Sequence, residues 1–227
     1  MTWFVIVELL RVGAAAACVA AALRYTWGDR LHAAWLLFAL NLVLLLTKDV
    51  LFGPHSAQLG VHLTLPHARG ALVMSGNLAT VIAMLLLAGA WRAAGFGELV
   101  SQRRRIVAQL ASIALALATT GWAFVVNFAA LRHGTPGAIE HVASDVGDFV
   151  TFSLVAPLAL VTFVLRGGTL FWPWLFIVLS KIAWMLFDVI LILHAERARP
   201  WAELARCLAL ALMLAAGVAA SRAARRG

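Results

Sequence analysis

Charged residues are scarce in this sequence, and their scarcity excludes a soluble globular fold. Asp, Glu, Lys and Arg together make up 12% of the 227 residues, whereas an ordinary soluble domain carries about 25%. Hydrophobic residues make up 63%, and the mean hydropathy is +0.94. No hydrophilic stretch is long enough for a separate soluble domain, so the sequence predicts a single polytopic membrane domain over residues 1–227.

Cysteine and lysine are also rare. The two cysteines, Cys18 and Cys207, lie within apolar runs and form no CxxC pattern, which argues against a disulfide framework and favours small residues packed between helices. Two lysines stand against sixteen arginines. The formal net charge of +8 comes mainly from arginines in short polar segments and at the C-terminus. Arginines at these positions are typical of a membrane protein, in which they set the orientation of the spans. The positive charge therefore does not predict a nucleic-acid partner.

Long apolar runs recur along the whole chain. Runs of about 18 or more apolar residues indicate transmembrane helices, and short segments rich in turn formers and charges separate them. The sequence therefore predicts an all-α integral membrane protein, a seven-helix transmembrane bundle. The predicted spans are about 3–23, 31–52, 71–95, 106–131, 145–166, 169–193 and 201–221.

Arginines are distributed unequally between the two sides that seven spans define. Ten lie in the first, third and fifth loops and the C-terminal tail, and four lie in the other three loops. Positively charged loops stay on the cytoplasmic side. We therefore expect an outside N-terminus and a cytoplasmic C-terminus in the inner (plasma) membrane. The preference for arginine over lysine suggests a bacterial source on composition alone.

Most charged residues inside the spans fall in the half that this topology places outside. A charge at the centre of a span costs about 2.5–3.5 kcal/mol on insertion scales, and such residues normally face the bundle interior, pair with one another or line a wet cavity. The sequence therefore predicts an outward-facing polar pocket closed below by apolar inner halves. The residues predicted to bind a ligand or ion there are Glu8, Arg11, Lys48, Asp49, Asp145, Asp148, Lys181, Asp188 and Arg206.

Several of these residues have simpler interpretations that the sequence leaves open. Lys48 lies about one turn from the end of its span, where a lysine can extend its ammonium group to the interface. Glu8 and Arg11 have the i, i+3 spacing of a structural ion pair. The segment SDVGD, residues 144–148, has the pattern of a helix N-cap followed by acids in the first turn.

Lys181 and Asp188 are harder to explain as structural residues. Lys181 lies roughly 18 Å from either end of its span at 1.5 Å per residue, which is too deep to reach the interface easily. Asp188 lies near a helix C-terminus, where the dipole disfavours an anion. The tight RGG turn makes the fifth and sixth spans antiparallel and brings Asp145 and Asp148 to the level of Asp188. We expect the site to lie in this hairpin.

Histidines concentrate in the predicted outer loops. His55, His62, His67 and His141 are candidate metal ligands together with nearby carboxylates, because imidazole and carboxylate suit zinc and related ions. No HxxxH or HExxH spacing occurs, and scattered solvated histidines are the alternative. A divalent metal is the one cofactor that the sequence suggests.

These features favour a binding protein over an enzyme. The leading interpretation is a sensory or receptor-like module, or the membrane subunit of a larger assembly, that binds a small ligand or ion. Its partners would be the lipid bilayer and a protein in the cytoplasm or membrane. The alternatives are a proton- or cation-coupled transporter and an outward-facing metal-dependent hydrolase of a lipid ester or amide. No catalytic residue is identified.

Overall fold

The computed structural model describes residues 2–53, 55–61, 63, 65, 67–93, 95, 100–135, 138–193 and 199–224. Within these residues all regular secondary structure is helical. The helices are α1 (Thr2–Ala22), α2 (Arg30–Phe52), α3 (Ala68–Ala93), α4 (Gln102–Arg132), α5 (Ala138–Ser153), α6 (Val155–Val164), α7 (Phe171–Leu193) and α8 (Arg199–Ala223).

Within the described residues, seven helical segments are long and apolar enough to cross a membrane. They coincide with the seven predicted spans, and α5 and α6 together make the fifth, Ala138–Val164. The expectation of an all-α, multi-pass fold with seven span-length segments is confirmed. Except at the start of the fifth span, the helices begin and end close to the predicted limits.

Six of the seven spans form a closed ring, and α4 lies outside it. The neighbours around the ring are α1, α2, α3, α5–α6, α7 and α8, and α8 closes the ring against α1. α4 packs mainly on α5, α6 and α7. Only 11% of the residues in its most apolar stretch are buried, compared with 44% in α1 and in α8. The centre of the bundle is therefore enclosed by six segments.

The two ends of the ring differ in polarity. The polar end is the end at which α1, α3, α5 and α8 begin and α2 and α7 end. It holds the six side chains that form ion pairs within and between the spans, whereas arginines such as Arg30 and Arg222 lie at the opposite helix ends. Toward the other end the centre is filled by apolar side chains. These include Phe38, Met84, Ile177 and Leu210, each of which is less than 2% exposed. Close apolar packing therefore closes the centre beyond the polar end.

The fifth span is broken between α5 and α6. Pro157 has no N–H to donate to the Ser153 carbonyl, and its ring crowds that carbonyl, so a regular helix is interrupted. Side chains of α4 supply the missing donors. Gln109 Nε2 donates to the Ser153 carbonyl at 3.0 Å, and Ser112 Oγ donates to the Phe152 carbonyl at 2.7 Å. A break at this depth is tolerated because neighbouring side chains satisfy the freed carbonyls.

The fifth span begins earlier than predicted. α5 starts at Ala138 and not near 145. The intervening sequence AIEHVAS has no Gly or Pro to interrupt a helix, and Glu140 in its first turn interacts favourably with the helix dipole. Ser144 is therefore not an N-cap, and Asp145 and Asp148 lie beyond the first turn. The interpretation of residues 144–148 as a helix start is wrong.

α1 and α8 pack closely because α8 presents small residues to α1. A Cβ atom placed on Gly217 would lie 2.6 Å from the backbone carbonyl carbon of Ala17. Ala216 and Ala220 of the same helix are fully buried. Small residues at such positions let the backbones of two membrane helices approach each other, and here they join the first and last helices of the chain.

Gly217→Ala is expected to lower the free energy of unfolding by about 1–3 kcal/mol, since the added methyl group displaces the α1 backbone. Gly121→Ala in α4 is the matched control. Beyond its own helix backbone, no described residue lies within 4 Å of the position of that Cβ. Alanine also favours a helix over glycine by about 1 kcal/mol. Thermal unfolding in detergent measures both variants. A Gly217→Ala variant that is as stable as the parent protein would contradict the close packing of α1 on α8.

Candidate functional site

Six charged side chains from α1, α2 and α8 form a paired cluster at the polar end. Its members are Glu8, Arg11, Lys48, Asp49, Glu203 and Arg206. The Asp49 carboxylate is at its centre. Its Oδ2 atom accepts from Arg11 Nη1 at 2.9 Å and from Arg206 Nη2 at 2.6 Å. Its Oδ1 atom lies 2.6 Å from Lys48 Nζ. One carboxylate thus binds a cation from each of three helices.

The remaining contacts complete the pairing of the cluster. Arg11 Nη1 also donates to Glu8 Oε2 at 2.6 Å and to the Leu45 carbonyl at 3.0 Å. Arg206 lies 3.6 Å from Glu203 Oε2 and 3.9 Å from Glu8 Oε1. Three carboxylates therefore meet three cations. Arg11 is 1% exposed, and a charge is buried this deeply at tolerable cost only where it is paired and hydrogen-bonded.

Two of the simpler interpretations of these residues are resolved by the geometry. Glu8 and Arg11 do form the ion pair that their spacing indicates. Lys48 pairs with the adjacent Asp49, and only 19% of its side chain is exposed. Its ammonium group is therefore held inside the bundle by a carboxylate and does not extend to the surface.

Asp49→Asn is expected to lower the free energy of unfolding by about 3–5 kcal/mol, because Arg11 stays buried after it loses this carboxylate. Lys48→Gln is the control, since it leaves both arginine contacts to Asp49 in place. Loss of that partly exposed pair should cost about 1 kcal/mol. Denaturation in mixed micelles measures both variants. A loss for Asp49→Asn that is no larger than the loss for Lys48→Gln would contradict the central position of Asp49.

A partly enclosed cavity of about 230 Å³ lies beside the paired cluster. Residues of α1, α2, α3, α5, α7 and α8 line it. Its charged lining residues are Arg11, Lys48, Asp148, Lys181, Asp188 and Arg206. The structure therefore brings six of the nine predicted site residues to one cavity. Glu8 and Asp49 do not line the cavity, but they pair with three of its lining cations, Arg11, Lys48 and Arg206.

Asp148, Lys181 and Asp188 form a second group on the α5 and α7 wall, the cavity triad. Among the described residues none of the three has an opposite charge within 4.0 Å, and none of their side chains makes a hydrogen bond. Lys181 is 7% exposed, and its Nζ atom lies 5.5 Å from the centre of the Phe38 ring. The charge of Asp148 acts on Lys181 and on Asp188, so Asp148 lies between the other two members in the electrostatics of the group.

Uncharged residues complete the lining, and sequence reasoning did not assign them to the site. They include Asn41, Thr80, Trp184 and Phe187. Asn41 Oδ1 and Thr80 Oγ1 are buried without a hydrogen-bond partner among the described residues. Helical spacing was the signal that could have found some of them. Asn41 lies two turns before Lys48, and Trp184 lies one turn before Asp188, so each pair shares a helix face.

Asp145 is the predicted site residue that the structure places elsewhere. Its Oδ2 atom accepts a hydrogen bond from Asn127 Nδ2 of α4 at 2.8 Å, and it does not line the cavity. The preceding Ser144 does line the cavity. Its Oγ atom accepts from Asn77 Nδ2 of α3 at 2.9 Å. This turn of α5 is therefore fixed from both sides, by α4 and by α3.

The candidate metal ligands do not come together in the described part of the chain. His55 Nδ1 lies 3.1 Å from Gln58 Oε1, and its ring lies 4.9 Å from the ring of Phe4. His67 and His141 are exposed, and His62 lies outside the described residues. Within those residues no group of three or more His, Cys, Asp or Glu side chains could hold a metal ion. The metal site stays a prediction of the sequence.

Comparison with known proteins adds no family to this geometry. The chain matches no protein-family model, no curated protein sequence and no solved structure. The class that the fold defines is a multi-pass helical bundle with span-length apolar helices. The arrangement beside its paired cluster, two carboxylates and one ammonium group around a small cavity, has the chemistry to hold an ion, a proton or a small polar molecule.

Proposed function

We propose that this protein is a multi-pass membrane protein that binds a small ligand or ion in the cavity at its polar end. It would act as a sensory or receptor-like module or as the membrane subunit of a larger assembly. The distribution of arginines supports an inner-membrane location with the N-terminus and the cavity outside and the C-terminus in the cytoplasm. Signal output would then require a protein partner on the cytoplasmic side or within the membrane.

The contrast between the paired cluster and the cavity triad carries this proposal. A buried charge that serves only the fold should be paired, because removing it from water costs several kcal/mol. The cluster meets this requirement through contacts of 2.6–2.9 Å to Asp49. The triad does not, although it lies in the same bundle and lines the same cavity. Lys181 is buried, and Asp148 and Asp188 are partly buried. Charged groups left without close partners inside a bundle are typical of sites that receive a ligand.

The apolar packing beyond the cavity favours binding over conduction. Phe38, whose ring faces the Lys181 ammonium group, is fully buried, and Met84 and Ile177 are at most 1% exposed. An open channel needs a continuous path toward the cytoplasm, and these side chains block the centre of the bundle directly beyond the cavity. A receptor needs access from one side only, which agrees with the polar end.

Neutralising the cavity triad should stabilise the ligand-free protein. Asp148→Asn, Lys181→Met and Asp188→Asn remove one buried and two partly buried charges with little change in shape. Replacing buried charges in this way can raise stability by about 1–4 kcal/mol. The combined variant is compared with the parent protein by thermal unfolding in detergent. A loss of stability like that expected for Asp49→Asn would show that the triad is a structural network and would contradict the proposed binding site.

Access to the cavity from outside is tested with cysteine variants and a small, charged, membrane-impermeant thiol reagent. Ser144→Cys, which lines the cavity, should be modified when the reagent is added to intact cells. Ser180→Cys is the matched control and should stay unmodified, because Ser180 is 1% exposed and donates to the Ala209 carbonyl at 2.8 Å. The buried native cysteines set the background in the parent protein. Modification only in inverted vesicles would overturn the outward orientation.

A further inference from the structure

We propose that the ligand of this cavity is a small organic ammonium ion, held by the Asp148 and Asp188 carboxylates against the aromatic side chains of Trp184 and Phe187. This inference rests on the proposed function, since it names the ligand class of the same site. It is carried by the charge balance of the cavity, by its unpaired oxygens and by its aromatic lining.

The charge balance of the site leaves one negative charge without compensation. The paired cluster is neutral, because its three carboxylates meet three cations. The cavity triad has two carboxylates and one ammonium group. When all three groups are ionised, Lys181 offsets one carboxylate and one is left over. A ligand that neutralises the site therefore carries one positive charge.

Hydrogen-bonding capacity around the cavity also favours a donor. Asn41 Oδ1 and Thr80 Oγ1 are buried and meet no hydrogen-bond partner in the described part of the chain, and both residues line the cavity. Thr80 is 6% exposed, and its hydroxyl group can accept or donate, whereas Asn41 Oδ1 can only accept. An ammonium group has three donors and no acceptor. It therefore complements the two carboxylates and the Asn41 amide oxygen better than a carboxylate or phosphate ligand does.

The aromatic lining favours an organic cation over a metal ion. Trp184, Phe187 and Phe152 line the cavity together with the two aspartates. Aromatic faces attract organic ammonium ions, and burial strengthens the attraction. A calcium ion requires six to eight oxygen ligands, whereas much of this lining is carbon. A volume of about 230 Å³ also leaves room for a molecule of several non-hydrogen atoms, since one water occupies about 30 Å³ in the liquid.

An anionic ligand would meet the wrong surroundings. The cations of the paired cluster that reach the cavity, Arg11, Lys48 and Arg206, are already bound to Asp49 at 2.6–2.9 Å. Only Lys181 is without a close partner, and it faces the cavity next to two carboxylates. An anion at Lys181 would therefore be repelled by the rest of the triad.

The experiment is a calorimetric titration of the full-length protein in nanodiscs of zwitterionic lipid. The probes are propylammonium chloride, tetramethylammonium chloride, sodium chloride, potassium chloride and potassium propionate. We expect saturable binding of propylammonium with one site per chain. Asp188→Asn and Asp148→Asn should each weaken that binding at least tenfold. Glu140→Gln, which removes a charge from the same helix outside the cavity, should change it less than threefold.

Each other result overturns the inference and leaves the proposed function to its own tests. Equal or tighter binding of sodium or potassium would identify the ligand as a metal ion, and binding of propionate alone would identify it as an anion. Propylammonium binding that survives both aspartate substitutions would place the amine at another site. No binding of any probe would exclude a small ammonium ligand. Failure of the proposed function itself would instead appear as destabilisation when the triad is neutralised or as absence of cavity labelling.

Discussion

The Asp49 carboxylate pairs with three cations inside the bundle, where an unpaired charge would be costly. The arrangement of the polar end depends on this carboxylate. Arg11, Lys48 and Arg206 come from α1, α2 and α8. α8 is distant from the other two helices in the chain, and in the ring α1 lies between α2 and α8. The same α1–α8 pair is held close by Gly217 against Ala17. One side of the cavity is therefore a set of helices joined by both charge and backbone proximity, and its electrostatics are complete without a ligand.

The opposite side of the cavity is built differently. α5 is positioned by hydrogen bonds from Asn77 of α3 and Asn127 of α4, and it ends at the break before Pro157. These neutral contacts fix the helix without compensating the charge of Asp148. The asymmetry matters because the paired side can stay unchanged while a ligand enters the unpaired side. The carboxylates of the cavity triad lie on α5 and α7, so a ligand bound as proposed would contact these two helices.

The sequence was sufficient for the features that depend on periodicity and composition. Seven apolar runs predicted seven span-length segments, and the positions of the charged residues predicted that they would share one end. The partners of those charges were not predictable, because the rotation of each helix about its axis depends on packing. Asp145 and Asp148 are three residues apart, yet one faces Asn127 and the other the cavity. Glu203 was not predicted to join these charges, because it lies at a span end, where a carboxylate needs no special explanation.

The start of α5 shows a second limit of sequence reasoning. The segment AIEHVAS is polar enough to be read as a loop, and Ser144 followed by two acids has the pattern of a helix start. In the structure Ser144 is instead an acceptor for Asn77, within a helix that began at Ala138. Local pattern and tertiary contact compete for the same side chain, and the contact with α3 prevails.

The break between α5 and α6 links the cavity to the outer helix α4. Phe152 lines the cavity, and its backbone carbonyl accepts from Ser112 Oγ. Phe152 and Lys181 also border an apolar groove of about 390 Å³ between α4, α6 and α7. One turn of helix therefore contacts the polar cavity, the break and the groove. Because Pro157 leaves this turn without its regular backbone hydrogen bonds, the least regular part of the fifth span lies beside the unpaired charges, whereas the paired charges lie on unbroken helices.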